Sequence, residues 1–175
     1  MARPRRTGGI AGSVVGVAAD LLEQAEHLAT YQGEQSKQTS LRRAVSTAYY
    51  AIFHLLTEEA SQKWQGTPES KTGIQRGFSH RAMRSVSKQF QMPNWSDCHE
   101  IRRPVPSALR RVALTFADLQ ELRHTADYDS HKAWSDVDVR EVIAKARAAF
   151  DDWQSIRTDP MSSNYLLAML LPKQR

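Results

Sequence analysis

The segment 41–56, LRRAVSTAYYAIFHLL, constrains the fold of this chain most, because it predicts one helix with two different faces. Apolar residues recur in it at steps of three and four, the spacing of a single stripe along an α-helix. The stripe consists of Leu41, Ala44, Val45, Ala48, Ile52 and Leu55. A second set recurs at similar steps on another side, with Tyr49 and Phe53 between the two, and consists of Arg43, Ser46, Tyr50 and His54.

The polar face of this helix has two interpretations, and both stay open on the sequence. It lines a cleft or meets a partner, since a surface helix rarely sets tyrosines, a histidine and an arginine beside its core stripe. Alternatively the helix is buried, and its Tyr and His tips find ordinary hydrogen-bond partners inside the protein.

Helical periodicity continues along the rest of the chain and predicts further helices at about 13–31, 79–91 and 107–125, with the first helix described above extended to 39–64. Segments 65–78 and 93–106 are rich in glycine and proline and are predicted as two exposed loops. No segment alternates as a strand does. The predicted class is therefore all-α, an antiparallel bundle of four to five main helices with an extra C-terminal helix.

The ends of the last two helices are marked by capping signals. Ser135 and Asp138 have capping-box spacing at the start of a fifth helix. Asp159 and Pro160 predict an N-cap followed by proline in the first turn of the last helix. Its segment 165–171, YLLAMLL, is apolar nearly all round and must be buried, either on the bundle or by a second chain.

These patterns divide the sequence into a flexible basic arm at 1–12, a helical bundle at 13–158 and a C-terminal helix or tail at 159–175. The length of 175 residues suits one domain with a substantial core.

Charge is distributed unevenly along the sequence. The formal net charge is +5, and residues 76–111 hold eight Lys or Arg against two acidic residues. Residues 112–160 reverse the balance, with ten acidic residues and six basic ones. The basic middle favours an acidic partner such as a nucleic acid, or it is a solvated face.

Cysteine content and hydropathy indicate the compartment. The single cysteine, Cys98, excludes an intrachain disulfide and favours a reducing environment, and no base is evident that would make it a nucleophile. The mildly apolar run 10–19 contains two glycines and passes into an amphipathic helix, which argues against a signal peptide. No run reaches the roughly 18 apolar residues of a membrane span. We therefore expect a cytoplasmic protein that makes no membrane contact.

Common ligand-binding motifs give no prediction of a metal or cofactor. Gly66, Gly73 and Gly77 lack the spacing and the following Lys-Ser/Thr of a phosphate-binding loop. No histidine pair has metal-binding helix spacing with a third ligand. The acidic run from Asp127 to Asp138 is best read as a solvated turn and a helix N-terminus.

Three segments in order resemble the HEPN superfamily of small helical bundles, which occur with nucleotidyltransferases, toxin–antitoxin pairs and defence systems. RRAVSTAYYAIFH at 42–54 is similar to the family's helix with paired tyrosines. FSHRAMRSVSKQF at 78–90 places His80 about where the family has a histidine. LRHTADYD at 122–129, followed by the acidic helix at 134–156, resembles the arginine-then-ADY signature of one HEPN branch.

This resemblance implies a metal-independent ribonuclease or an RNA- or nucleotide-binding protein, commonly a homodimer, that works with a partner such as an antitoxin or a nucleotidyltransferase. The family's signature is an arginine, four to six residues and then a histidine. Here Arg123 matches the arginine, Tyr128 stands at the position with four residues between, and His131 follows with seven between. His54 or His80 could supply the missing imidazole if the bundle brings it near Arg123.

The resemblance and the helical faces together give two sets of candidate residues. The catalytic candidates are Arg123, Tyr128, His131 and His54. The candidates for binding RNA or a nucleotide are Arg43, Tyr50, His80, Arg76, Arg81 and Arg84.

A non-catalytic interaction module is the alternative. In that case Arg123 pairs with Asp127 four residues on, Tyr128 is a packed plug, and the apolar segment 165–171 docks on another chain. The exposure of Arg123 and Tyr50 separates the two interpretations: open side chains favour a ligand site, and buried, mutually bonded ones favour a structural cluster.

Overall fold

The computed structural model describes residues 16–30, 37–96 and 101–171. Within these ranges the chain is built mainly from α-helices, which confirms the all-α class. The helices are α1 (Val17–Thr30), α2 (Lys37–Lys63), α3 (Pro68–Arg76), α4 (His80–Phe90), α5 (Ser107–Tyr128), α6 (Asp136–Ile156) and α7 (Pro160–Leu170). The predicted basic arm at 1–12, and Cys98, lie outside the described residues.

Helix α2 is the centre of the packing, as its apolar stripe predicts. All six stripe residues are buried, and α2 packs against α1, α5 and α6 as well as the shorter α3 and α7. Tyr49, predicted to lie between the faces, is fully buried, whereas Tyr50 is half-buried. The core continues through Phe116 on α5 and Trp153 on α6.

The predicted loop at 65–78 is wrong, since it contains helix α3. The Thr67 side chain accepts a hydrogen bond from the Ser70 backbone N–H, and Pro68 takes the first helical position. This N-terminal cap offsets the cost of Gly73 inside the helix. No residue of α3 is fully buried, so the segment is exposed, as predicted, although it is helical.

The second predicted loop, 93–106, contains a short hairpin that the lack of strand-like alternation did not indicate. Strand β1 (Asn94–Ser96) pairs antiparallel with β2 (Arg102–Pro104), with Trp95 opposite Arg103. The Trp95 ring stacks on Phe90, with centroids 4.8 Å apart. Proline is tolerated in β2 because both strands of a two-stranded hairpin are edges.

The capping predictions for the last two helices are confirmed. Ser135 and Asp138 form the reciprocal capping box of α6, and the Asp159 side chain accepts from the Met161 N–H ahead of α7. Helix α5 continues three residues beyond the predicted end and includes Ala126, Asp127 and Tyr128. No helix in the described part of the chain is long and apolar enough to cross a bilayer.

The apolar segment of α7 is buried on its own bundle, the first of the two predicted alternatives. Helix α7 packs against α4 and α2. Tyr165, Leu166 and Met169 are buried there, while Leu167 and Leu171 remain exposed on the outer side.

Candidate functional site

An aromatic and ionisable cluster forms where α2 meets the start of α4 and the last turns of α5. Helix α2 presents Tyr49, Tyr50, Phe53 and His54 over little more than one turn. Helix α4 begins with His80, which follows the N-cap Ser79. Helix α5 contributes Arg123 from near its C-terminal end. We call these six residues the Tyr–His–Arg cluster: Tyr49, Tyr50, Phe53, His54, His80 and Arg123.

His80 is held on three sides within this cluster. The Tyr49 hydroxyl lies 2.6 Å from His80 Nδ1, and the Phe53 ring packs on the imidazole with centroids 4.4 Å apart and an interplanar angle of 33°. The Gln120 side chain donates to the His80 backbone carbonyl at 3.0 Å. Burial, and then the positive charges of Arg123 and His54, lower the pKa of His80 below its ordinary value. The half-buried imidazole is therefore neutral at pH 7.

Arg123 connects α5 to α2 while keeping part of its surface open. Its Nη2 donates to the Tyr50 hydroxyl at 3.0 Å, and its guanidinium lies over the Tyr50 ring, 5.5 Å from the centroid. Its Nε lies 2.6 Å from Asp127 Oδ2, which confirms the predicted pair four residues apart. The Arg123 side chain is still 25% exposed. Arg123 is thus both bonded within the protein and accessible to solvent. Its exposure therefore does not separate a ligand site from a structural cluster.

His54 supplies the second imidazole of the cluster. It is half-buried beside Phe53, with ring centroids 5.6 Å apart, and burial lowers its pKa. The charge that His54 carries when protonated lowers the pKa of His80, so the two histidines are close enough to interact. The cluster thus combines a fixed cation with two neutral bases.

Tyr128 does not fill the role of a packed plug, and that part of the alternative interpretation is wrong. It is 68% exposed at the C-terminal end of α5. Its ring lies 4.9 Å from His124 and within 6.0 Å of the Arg123 guanidinium. Tyr128 therefore borders the cluster from the solvent side.

The remaining predicted residues lie at different distances from this site. Arg43 is exposed on α2 seven residues before Tyr50, and hence on the same side of that helix. Arg81 is exposed on α4, and Arg84, one turn after His80, forms an ion pair with Glu121 of α5. Arg76 lies at the exposed end of α3 and His131 in the exposed turn after α5. Within the described ranges, no hydrogen bond, ion pair or ring contact joins Arg76 or His131 to the cluster.

Arg42 is a structural residue of the site that the sequence did not single out. Its Nη1 donates to the Ala126 and Asp129 carbonyls at 2.9 and 2.7 Å. Its Nη2 donates to the Ser130 and Lys132 carbonyls at 3.2 and 2.6 Å. It thereby satisfies backbone acceptors at the C-terminal end of α5, the helix end that carries Arg123. The partners are 84 to 90 residues away in the sequence, so no local pattern predicts these hydrogen bonds.

The chemistry available to the cluster is that of anion binding and proton transfer. A partly exposed guanidinium can hold a phosphate, and neutral imidazoles can accept protons near pH 7. In the described residues, no group of three or more His, Cys, Asp and Glu side chains is arranged to hold a metal ion.

Comparison of the chain with protein-family models, with curated proteins and with solved structures finds no match in any of the three.

Proposed function

We propose that the chain is a HEPN-like protein that contacts RNA or a nucleotide through the Tyr–His–Arg cluster, as a metal-independent ribonuclease of a toxin–antitoxin or defence system. The observation that carries the proposal is that a partly exposed Arg123 and two half-buried histidines of lowered pKa lie around the same Tyr50 and Phe53 rings. Such a combination supports acid–base chemistry on a phosphate. The proposal also gives a role to the HEPN-like segments, which supply these residues.

The reaction would be transfer within the RNA strand. A neutral imidazole takes the proton of a 2′-hydroxyl, and the 2′-oxygen forms a bond to the adjacent phosphorus. The bond from phosphorus to the 5′-oxygen breaks, and that oxygen receives a proton from a water molecule. Arg123 holds the phosphate with its N–H donors and stabilises the charge that develops on its oxygens. His54 and His80 replace the histidine that the family places after the arginine.

Exposed cations around the cluster fit a polyanionic ligand. Arg43 on α2 and Arg81 on α4 are both exposed, and Arg76 lies nearby in sequence at the end of α3. Lys and Arg side chains attract the phosphate backbone without reading its sequence. In the setting that the resemblance implies, the protein is a cytoplasmic homodimer whose activity depends on an antitoxin or a nucleotidyltransferase.

The second candidate is a non-catalytic module that binds such a partner or a nucleotide. The observation in its favour is that Arg123 is already engaged by Tyr50 and Asp127. A guanidinium with these partners can act as a structural link between α5 and α2 with no ligand present.

The test is cleavage of a mixed RNA pool by the purified protein in EDTA, beside Arg123→Ala and Arg140→Ala. Arg140 is an exposed arginine of α6 that bonds the Asp136 carbonyl of its own helix, so it is a matched control. We expect cleavage by wild type and the control, and a loss of about a hundredfold or more in Arg123→Ala. Thermal unfolding of each variant is measured as well, and a melting temperature close to that of wild type shows that the loss of cleavage is not due to unfolding.

Equal cleavage by Arg123→Ala and wild type would refute the proposed role of Arg123. The non-catalytic module would be favoured if none of the three proteins cleaves RNA and if Arg123→Ala binds RNA with the same affinity as wild type.

A further inference from the structure

The Tyr49–His80 contact determines which nitrogen of His80 carries a proton. Tyr49 is fully buried, and its hydroxyl lies 2.6 Å from Nδ1. Burial raises the pKa of the Tyr49 phenol, so the hydroxyl keeps its proton. Within the described residues this imidazole nitrogen is the one acceptor that the hydroxyl meets. A buried donor without an acceptor is destabilising, which strongly favours donation from Tyr49 to Nδ1.

A neutral imidazole has one nitrogen that accepts and one that donates. If Nδ1 accepts from Tyr49, the proton of neutral His80 lies on Nε2. No hydrogen bond involves Nε2 in the described part of the chain, and Nε2 is not one of the buried side-chain atoms there that lack a partner. This N–H is therefore open to a ligand.

We infer that Tyr49 is a positioning residue that locks His80 in the Nε2–H form and makes it a hydrogen-bond donor to a phosphate oxygen of the ligand. The donor role rests on the proposed function, whereas the assignment of the proton does not. Phe53 supports the arrangement because its ring, 4.4 Å from the imidazole centroid, limits rotation of His80.

The inference divides the work between the two histidines. His80 Nε2–H joins the N–H groups of Arg123 in binding phosphate oxygens, and the proton of the 2′-hydroxyl goes to His54. The Tyr50 ring neighbours both donor residues, with its centroid 6.0 Å from the His80 ring and 5.5 Å from the Arg123 guanidinium. The inference therefore assigns one phosphate to donors from α4 and α5.

The first experiment measures the tautomer by ¹⁵N NMR of the histidine side chains at pH 8, in the free full-length protein. The His80 signals are assigned by their loss in His80→Gln. We expect Nε2–H in wild type and a mixture of both forms in Tyr49→Phe, a substitution that keeps the ring and removes the donor. A wild-type Nδ1–H form, or a Tyr49→Phe spectrum identical to that of wild type, would overturn the inference.

The second experiment measures binding of a fluorescent 2′-O-methyl RNA oligonucleotide, which lacks the attacking hydroxyl and cannot be cleaved. Gln at position 80 places an amide N–H near the site of Nε2, whereas Asn places its amide near the site of Nδ1. We expect His80→Gln to bind within about threefold of wild type, and His80→Asn to bind about tenfold more weakly than wild type, a loss of about 1.4 kcal/mol. Equal binding by the two variants would contradict the donor role.

Failure of the proposed function is recognised separately. A wild-type protein that shows the Nε2–H form but no binding of the oligonucleotide would remove the donor role and the proposed function together. The assignment of the proton by Tyr49 would then stand as a structural property of the cluster.

Discussion

Arg123 donates to the hydroxyl of Tyr50 at 3.0 Å, across 73 residues of sequence. This bond fastens the last turns of α5 to the middle of α2, and it orients the guanidinium without burying it. Arg123 also lies beside Asp127, so the phosphate of the proposed ligand would compete with a carboxylate for the same cation. The bond with Tyr50 gives Arg123 a structural role beside the binding role that we propose for it.

Removing the Tyr50 hydroxyl should cost a modest amount of stability. Tyr50→Phe keeps the ring beneath Arg123 and deletes the acceptor of the Nη2 hydrogen bond. We expect the free energy of unfolding in urea to fall by about 0.5–1.5 kcal/mol. Tyr128→Phe is the matched control, because Tyr128 is 68% exposed, and should change stability by less than about 0.5 kcal/mol. A larger loss in the control would contradict the described exposure of Tyr128.

Removing the carboxylate beside Arg123 should strengthen RNA binding. In Asp127→Asn the guanidinium loses its ion-pair partner 2.6 Å from Nε, and a negative charge disappears from the site. We expect the affinity for single-stranded RNA to rise about threefold at low salt, with the gain reduced at higher salt by screening. Fluorescence anisotropy at two salt concentrations measures it. Asp129→Asn, in the turn beyond α5, removes the same charge outside the pair, and an equal gain there would contradict a specific effect at Arg123.

Stability should fall as the pH drops below about 6.5, the ordinary pKa of histidine. The pKa values of His54 and His80 are both lowered, mainly by burial. Below the ordinary histidine pKa, the unfolded chain therefore binds more protons at these two histidines than the folded protein does. Their contribution to stability is present above the unfolded pKa and is lost as the pH falls through the folded values. Urea unfolding from pH 8 to pH 5 measures the effect.

A histidine substitution isolates this contribution from other titrating groups. Glu58 has a raised pKa, also mainly from burial, and opposes the trend toward the acid end. We expect His80→Gln to show a weaker loss of stability between pH 7 and pH 5 than wild type. His27→Gln, on the exposed face of α1, is the control, and an identical pH dependence in all three proteins would refute the prediction.

The sequence predicted the helical core well because that core follows local periodicity. The stripe of α2 and the caps at Ser135 and Asp159 involve residues within four positions of each other. Helix α3 was missed although Thr67 and Pro68 carry a start signal of the kind recognised at Asp159 and Pro160. The three glycines of segment 65–78 favour a loop, whereas the Thr67 cap and Pro68 favour the helix that forms.

The candidate site was only partly predictable, because its geometry depends on contacts between distant helices. The polar face of α2 indicated Tyr50 and His54, which both lie in the Tyr–His–Arg cluster. Helical periodicity separates Tyr49 from Tyr50, but it does not predict that Tyr49 bonds to His80 and Tyr50 to Arg123. The same limit applies to Arg42, whose neighbour Arg43 was chosen from the helical face.

Arg42 should be more important for stability than Arg43. Lysine at position 42 keeps the charge but cannot reproduce the two-pronged donation to four backbone carbonyls. We expect Arg42→Lys to lower the free energy of unfolding by about 2 kcal/mol, whereas the exposed Arg43→Lys changes it by less than about 0.5 kcal/mol. Urea unfolding measures both variants.

The loss in Arg42→Lys should be concentrated at the C-terminal end of α5. Hydrogen exchange is expected to accelerate at residues 126–132 before it does so in the middle of α2. Uniform acceleration over the whole bundle would show that Arg42 acts on the core instead of on this helix end.

Tyr165 should hold α7 on the bundle through a hydrogen bond that has a defined direction. The Ser87 hydroxyl donates to the Met83 carbonyl at 2.8 Å, which uses its single proton. The Tyr165 hydroxyl, 2.8 Å from Ser87 Oγ, must therefore be the donor of the second bond. Both side chains are fully buried, and burial raises the pKa of the phenol, so the donor keeps its proton.

We expect Tyr165→Phe to lower the free energy of unfolding by about 1–2 kcal/mol, since it removes the donor and leaves the buried Ser87 oxygen with one partner fewer. Ser87→Ala leaves the buried Tyr165 hydroxyl without its acceptor and should lower the free energy of unfolding by at least as much. The double variant should cost less than the sum of the two, because neither group is then left without its partner. Leu167→Ala, on the exposed side of α7, is the control for the helix itself. Strict additivity of the two substitutions in urea unfolding would show that the hydroxyls contribute independently and that their bond does not fasten α7.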